Sequence, residues 1–280
     1  MPELPEVETI ARGLAKRVTG DAVESVWLGQ KKEPLKSSAR EIVAALEHSR
    51  IAAVRRLGKH IVFDLIYNNL DRIRTGHNTR SAAQWIVHLG MTGRLQVCEA
   101  QAEVEKHTHA IIRFASGREL RFVDPRRFGR LSVSNKADFD AGGIEPLEID
   151  LENFVRLFRG RKTPIKSALL NQKLLRGVGN IYADESIFRA GIRPRRRAAT
   201  ITREQLGKLL VAVKDVLKEA IALGGSSISD YVDADGEEGF FQLQHRVYGR
   251  EGEPCLVCKT PIKRVVIAGR SSHYCPTCQK

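Results

Sequence analysis

The residues best suited to chemistry stand at the two ends of the chain. At the start, Met1-Pro2-Glu3-Leu4-Pro5-Glu6-Val7-Glu8 places a proline behind a methionine that is normally trimmed before a small residue. The mature chain is therefore expected to begin at Pro2 with a free secondary amine. An α-amino group titrates near ~8 and a lysine near ~10.4, so at neutral pH far more of the terminal amine is neutral and nucleophilic. A secondary amine that adds to a sugar carbon gives an iminium cation directly, with no nitrogen proton left to lose. Glu3 and Glu6 lie close to the amine and to the positive end of the helix that follows, where carboxylates are stabilised. Taken alone, these residues fit a plain helix start better than a catalytic group. At the other end, Cys255-x2-Cys258-x16-Cys275-x2-Cys278 sets two thiolate pairs on two turns. That spacing predicts one structural zinc ion held by four sulfurs, because a catalytic zinc would need an open ligand position. A disulfide is the weaker alternative. Cys98 is left over and reads as a buried, inert thiol.

The elements that must position these groups follow from periodicity. Val7, Ile10, Ala11, Leu14 and Val18 recur on one helical face, with Pro5 in the first turn where its missing N–H costs nothing. Residues 22–28 read as a strand, and Ser38 with Glu41 forms a capping box for a helix to about 48. The β-branched runs 51–57 and 61–66 flank Gly58-Lys59-His60, a hairpin that would leave Lys59 exposed and movable at its turn. The polar stretch 68–83 reads as a surface loop. Strands at 85–89 and 94–97 flank Gly90-Met91-Thr92-Gly93, and 110–115 with 118–123 forms a second hairpin. Many short strands with few helices predict a β-sandwich for this half.

Near 140–150 the period changes from two to three-and-a-half. Asp150 caps a helix with Leu151, Phe154, Val155 and Phe158 on its apolar face, and helices at 164–171 and 181–190 enclose the double turn Leu174-Leu175-Arg176-Gly177-Val178-Gly179-Asn180. Glycines there let backbone N–H groups approach a phosphate. Thr202 and Gln205 open a long core helix that closes at Gly224. Residues 226–239 read as a loop, and the paired cysteines enclose a terminal hairpin.

Composition narrows the function classes. The 280 residues carry 46 Lys and Arg against 33 Asp and Glu, a formal charge of +13. Such an excess predicts a polyanionic partner, through attraction to phosphate and release of its counterions. No apolar run approaches the ~20 residues needed to span a bilayer. No signal core follows the start, and a removed leader would take Pro2 with it. Five cysteines, four of them in C-x-x-C pairs, point to a reducing compartment rather than a disulfide scaffold.

Pro2-Glu3-Leu4-Pro5-Glu6-Val7-Glu8 resembles the N-terminus of the formamidopyrimidine-DNA glycosylase family, bifunctional enzymes of base excision repair that use an N-terminal proline as nucleophile. Further segments carry the same resemblance: His88-Leu89-Gly90-Met91-Thr92-Gly93-Arg94-Leu95, Lys106-His107-Thr108-His109, Asp124-Pro125-Arg126-Arg127-Phe128-Gly129, and Gly177-Val178-Gly179-Asn180-Ile181-Tyr182. It covers nearly the whole chain, with the stretch 68–83, longer than is usual in the family, as its main departure. The resemblance implies that Pro2 attacks C1′ while Glu3 supplies or relays protons, and Glu6 is expected to position the first helix. It further implies that Lys59 contacts the DNA backbone and assists elimination, and that Arg270 binds phosphates and donates a proton in the second elimination. Met91 would enter the space left by an everted base, Arg126 would face the orphaned base, and Phe128 would wedge into the stack. His107, Arg161, Lys166 and Asn180 become phosphate contacts, and the loop 226–239 becomes the lesion-recognition loop.

The expected fold is α+β and multidomain: an N-terminal β-sandwich with an N-terminal helix at 1–140, a helical helix–two-turn–helix domain at 150–244, and a four-cysteine zinc ribbon at 245–280. The expected activity is excision of oxidised purines from double-stranded DNA through a Pro2 Schiff base, then β- and δ-elimination, by a monomer in the bacterial cytoplasm, associated with the nucleoid. Two alternatives stay open: the sister group that excises oxidised pyrimidines, and a non-catalytic zinc-ribbon DNA-binding protein.

Overall fold

The computed structural model describes residues 1–67, 83–135, 138–227 and 239–280. The expectations for the stretch 68–83 and the loop 226–239 fall, apart from their end residues, outside the described residues. The chain forms two compact units: Met1–Pro2, Glu6–Ala141 and Ser227–Gly239 in the first, Glu3–Pro5, Gly142–Ser226 and Phe240–Lys280 in the second.

In the first unit, helix α1 (Leu4–Val18) buries Val7, Ile10, Ala11, Leu14 and Val18, the face that its spacing predicts. Helix α2 (Ala39–Leu46) opens on the expected capping box: Ser38 accepts from the Glu41 N–H, and Glu41 accepts from the Ser38 N–H. Among the described residues of this unit are eight strands, in chain order β1 (Val23–Leu28), β2 (Ser49–Leu57), β3 (His60–Tyr67), β4 (Ala83–His88), β5 (Arg94–Glu99), β6 (Thr108–Phe114), β7 (Arg118–Val123) and β8 (Arg130–Ser134). They form two antiparallel sheets of order β1-β6-β7-β5 and β2-β3-β4-β8. Inward residues of both sheets, among them Phe63, Trp85, Phe114 and Phe122, share one core with α1 and α2. Burial of such side chains stabilises by roughly 1.5–3 kcal/mol each. Strand β8 has no counterpart in the periodicity reading. Its alternation over 131–133 is short, and pairing with β4 is what makes it a strand.

In the second unit, α3 (Leu151–Phe158) starts at Asp150, whose carboxylate accepts from the Asn153 N–H at 2.8 Å. Helix α4 (Ile165–Leu169) is shorter than the expected 164–171, because Pro164 stands outside it as N-cap and the Asn171 N–H bonds Ala168 in a tight final turn. Helix α5 (Asn180–Arg189) follows the double turn, and α6 (Arg203–Ala222) carries the second capping box, Thr202 with Gln205. Phe154, Tyr182, Leu209, Val213 and Leu217 belong to this unit's core. The chain ends in a hairpin, β9 (Lys263–Ile267) paired with β10 (Arg270–Tyr274).

Loss of a cap exposes an orphan N–H, so Thr202→Ala should lower stability by about 1 kcal/mol in urea denaturation. An unchanged midpoint would mean that packing alone holds the start of α6.

Candidate active site and metal centre

The first unit presents two loops side by side. One, residues 90–93, joins β4 to β5; the other, residues 124–129, joins β7 to β8. Met91, in the first loop, is 37% exposed, and Phe128, in the second, 45%. The Arg126 guanidinium lies 5.0 Å from the centre of the Phe128 ring. His107 is exposed just before β6, whereas His109 is buried with its Nε2 3.0 Å from the Asp124 carbonyl.

Lys59 corrects an expectation. It sits at the β2–β3 turn but is only 8% exposed, beside His88 of the neighbouring strand rather than free in solvent. Burial, with the charges of His60, Lys59 and Arg130, pushes the His88 imidazole down to about 4. Neutral at physiological pH, its Nδ1 accepts the Gly90 N–H at 3.1 Å. Cys98 is half-buried rather than buried, and burial holds its thiol above the usual range.

Pro2 is half-buried, and Glu3 and Glu6 are buried at 4% and 2% exposure. Glu3 belongs to the second unit, where its Oε1 accepts the Ile181 N–H at 3.2 Å in the first turn of α5. A helix start favours negative charge there. Gly179 makes room for it: a Cβ at that position would lie 2.2 Å from the Glu3 carboxyl carbon. The φ of Gly179 is −128°, which any residue adopts, so the demand is for space alone. The following residue is pinned too, since the Leu4 N–H donates to the Gly177 carbonyl at 3.0 Å.

Asn180 and Arg161 are two of the residues that the resemblance casts as phosphate contacts. Arg161 is exposed; Asn180 is half-buried and its amide donates to Ser271 Oγ at 3.2 Å. Lys166 is different. Its side chain is fully buried, ion-paired with Asp184 at 2.7 Å and bonded to the Ser271 carbonyl. A buried, paired ammonium does not face solvent, so the structure replaces the expected phosphate contact by a structural pair. Burial lowers the Lys166 pKa, and Asp184 opposes the shift. Asp184 also accepts from Ser272 Oγ at 3.0 Å and the His273 N–H at 2.9 Å, which fastens β10 along α5. Arg270, exposed, is the first residue of that strand.

Asp184, Glu185 and Asp124 escape sequence reasoning because acids inside a helix or turn normally face water. Glu185 is fully buried and accepts the N–H groups of Arg246, Val247 and Tyr248. Burial raises its pKa against the pull of those three bonds. The signal is visible only as an acid on an otherwise apolar face.

The four sulfurs of Cys255, Cys258, Cys275 and Cys278 lie within 4.8 Å of one another, with 3.9 Å between Cys255 and Cys278 and 3.4 Å between Cys258 and Cys275. Tetrahedral zinc at ~2.3 Å from each sulfur needs separations of about 3.8 Å, so the donor set fits one zinc ion. Phe188, Val247 and Ile262 pack beneath it.

Comparison with known proteins agrees along the whole length. Residues 1–131 match the formamidopyrimidine-DNA glycosylase N-terminal domain, 143–232 its H2TH domain, and 252–280 the zinc finger found in FPG and IleRS. Relatives named formamidopyrimidine-DNA glycosylase include one from Solibacter usitatus, 46% identical, and one from Gluconobacter oxydans, 42% identical, each covered in full as is this chain. Among solved structures, the MutM (Fpg) protein of Thermus thermophilus is similar at TM-score 0.84 and 40% identity, over 99% of this chain and 98% of that one. The Lactococcus lactis Fpg in complex with DNA containing an abasic site is similar at TM-score 0.87 and 31% identity, over 99% of each chain. With the expected helix, sandwich, double turn and ribbon all present, the chain belongs to the formamidopyrimidine-DNA glycosylase family.

Proposed function

We propose that Pro2, freed by removal of Met1, is the nucleophile of a DNA glycosylase and lyase that acts on oxidised purines. The broader activity is that of the family: the protein is a DNA glycosylase of base excision repair, with the lyase activity characteristic of that family. The observation that best supports the assignment to Pro2 is the fixed carboxylate beside it, Glu3 held on the first turn of α5 by the Ile181 N–H and given room by Gly179. A nucleophile at a chain end needs its neighbour immobilised, and a proton carrier needs a defined place.

In this reading the Pro2 nitrogen attacks C1′ of the everted nucleotide. The C1′–N bond breaks, and the departing base takes a proton by way of Glu3. The Pro2 nitrogen gives up its proton, and the C1′–O4′ bond then opens with its oxygen protonated by way of Glu3, which leaves an iminium on Pro2. That iminium acidifies the C2′ protons; loss of one expels the 3′ phosphate, and a second elimination expels the 5′ phosphate. Lys59 contacts the DNA backbone and assists elimination from its sheltered turn, and Arg270 binds phosphates and donates a proton in the second elimination. Glu6, buried in α1, holds the helix that carries the amine. Met91, Arg126 and Phe128 fill the vacated stack, where an exposed apolar side chain offsets the few kcal/mol of unstacking. His107, Arg161 and Asn180 grip phosphate. The pattern of Met91 with Arg126 and Phe128, which the sister group usually lacks, favours this substrate class over oxidised pyrimidines.

Residues 1–140 then carry the chemistry and the wedge, 150–244 the phosphate grip, and 245–280 the ribbon that holds Arg270. The partner is double-stranded DNA containing an oxidised base, engaged by a monomer in the cytoplasm, on the nucleoid. No described helix is long and apolar enough to cross a membrane.

Three outcomes are expected. Retaining Met1 or acetylating Pro2 should abolish the borohydride-trapped covalent adduct while leaving lesion binding intact; a full-strength adduct would move the nucleophile elsewhere, to Lys59 first. Gly179→Ala should displace Glu3 and slow excision at least ~100-fold, the lower end of a general acid–base contribution, with an unchanged circular dichroism spectrum. Wild-type rates would show that Glu3 works without its helix contact. Cys255→Ser should lose zinc by metal analysis and melt the terminal hairpin, since structural zinc supplies folding energy locally. DNA affinity should fall with the sandwich still folded, and full affinity in a zinc-free protein would refute the structural role.

A further inference from the structure

The two loops that carry Met91 and Phe128 converge on one carboxylate. Asp124 is completely buried. Its Oδ1 accepts the Thr92 hydroxyl at 2.6 Å, from the first loop, and the Arg126 N–H at 3.2 Å, from the second. Its Oδ2 accepts the Gly129 N–H at 2.7 Å. All three donors are neutral, so this buried anion depends on hydrogen bonds, which are stronger for the charge on their acceptor.

The loop backbones also touch. A Cβ on Gly90 would lie 2.5 Å from the Phe128 carbonyl carbon, and one on Gly129 would lie 2.4 Å from the Phe122 ring. Gly90 takes the left-handed φ of +67° that this approach requires, and Arg127, between Arg126 and Phe128, holds φ +58°. A non-glycine residue there stores strain that its surroundings must maintain. On the far side, neutral His88 accepts the Gly90 N–H. Moving either loop away would strip a partner from a buried carboxylate.

We propose that Asp124 is a positioning residue that clamps the Met91 loop and the loop of Arg126 and Phe128 into a single rigid wedge for the space left by an everted base. The clamp rests on the reading of these side chains given under Proposed function. It acts on opening of the duplex, not on phosphate binding or on the Pro2 chemistry, since Asp124 has no exposed atom for DNA to meet.

The test uses Asp124→Asn, which leaves one acceptor oxygen for three donors, and Thr92→Val, which removes only the link between loops and keeps the shape of the side chain. Single-turnover excision from a lesion-containing duplex at saturating protein should slow about tenfold in each, the worth of one charge-assisted hydrogen bond. A 2-aminopurine beside the lesion should report a smaller rise in fluorescence on binding. Borohydride trapping on a single-stranded abasic oligonucleotide, where no stack needs filling, should proceed at the wild-type rate, and the salt dependence of duplex binding should not change. Should Asp124→Asn fail to fold, Thr92→Val carries the same comparison. Wild-type duplex rates in Thr92→Val, or equal losses on duplex and single strand in both variants, would overturn the clamp. Failure of the wild-type protein itself to trap on the abasic strand would overturn the Pro2 reading, and the clamp with it.

Discussion

The nucleophile proposed at Pro2 can act only if it is held still, and the restraint begins at the very next residue. Glu3 bonds to the first turn of α5, in the space where Gly179 lacks a side chain, and Leu4 is tied by its backbone to Gly177 and is completely buried. From Val7 onward, α1 is packed by its apolar face into the sandwich core. Glu3 and Leu4 are thus held within the second unit, and α1 from Val7 within the first. For a nucleophile, being held in place supplies much of what orientation can contribute to a rate.

Buried charge does a second kind of positioning. Lys166 with Asp184, Glu185 with three backbone N–H groups, and Asp124 with both loops are each costly to bury. Such groups are weak evidence for net stability but specify geometry, because each tolerates only the arrangement that satisfies it. Lys166 and Asp184 set the line of β10, and with it the place of Arg270. Glu185 gathers the chain as it enters the ribbon, just ahead of the cysteine pairs. The exposed residues follow another logic. Met91 and Phe128 stand partly in solvent although apolar, which suits the wedge role proposed for them.

Much of the architecture is legible in the sequence because it rests on local physics. Apolar period places α1, both capping boxes begin their helices where Ser38 and Thr202 stand, and alternation with Gly58 and Gly117 locates two hairpins. The cysteine spacing identifies the sulfur cluster outright, since two C-x-x-C turns bring four thiolates together whatever surrounds them. Strand β8 is not legible, because five residues of weak alternation become a strand only beside β4. The end of α4 escapes for a similar reason, a tight turn at Asn171 that periodicity does not register.

The candidate site divides along the same line. Sequence alone singles out Pro2, Glu3, Met91, Arg126, Phe128 and Arg270, through a terminal amine, its adjacent acid and motifs that resemble a family. Only the tertiary structure decided which charges face water. Lys59 reads as a free turn lysine and is sheltered; Lys166 reads as a phosphate contact and is paired inside the protein. Asp124, Asp184 and Glu185 receive no role from the sequence and are buried among donors from distant segments. The physical reason is range: helix starts, turns and cysteine pairs are set by residues within a few positions of each other, whereas the burial of a charge depends on partners brought to it by the whole fold.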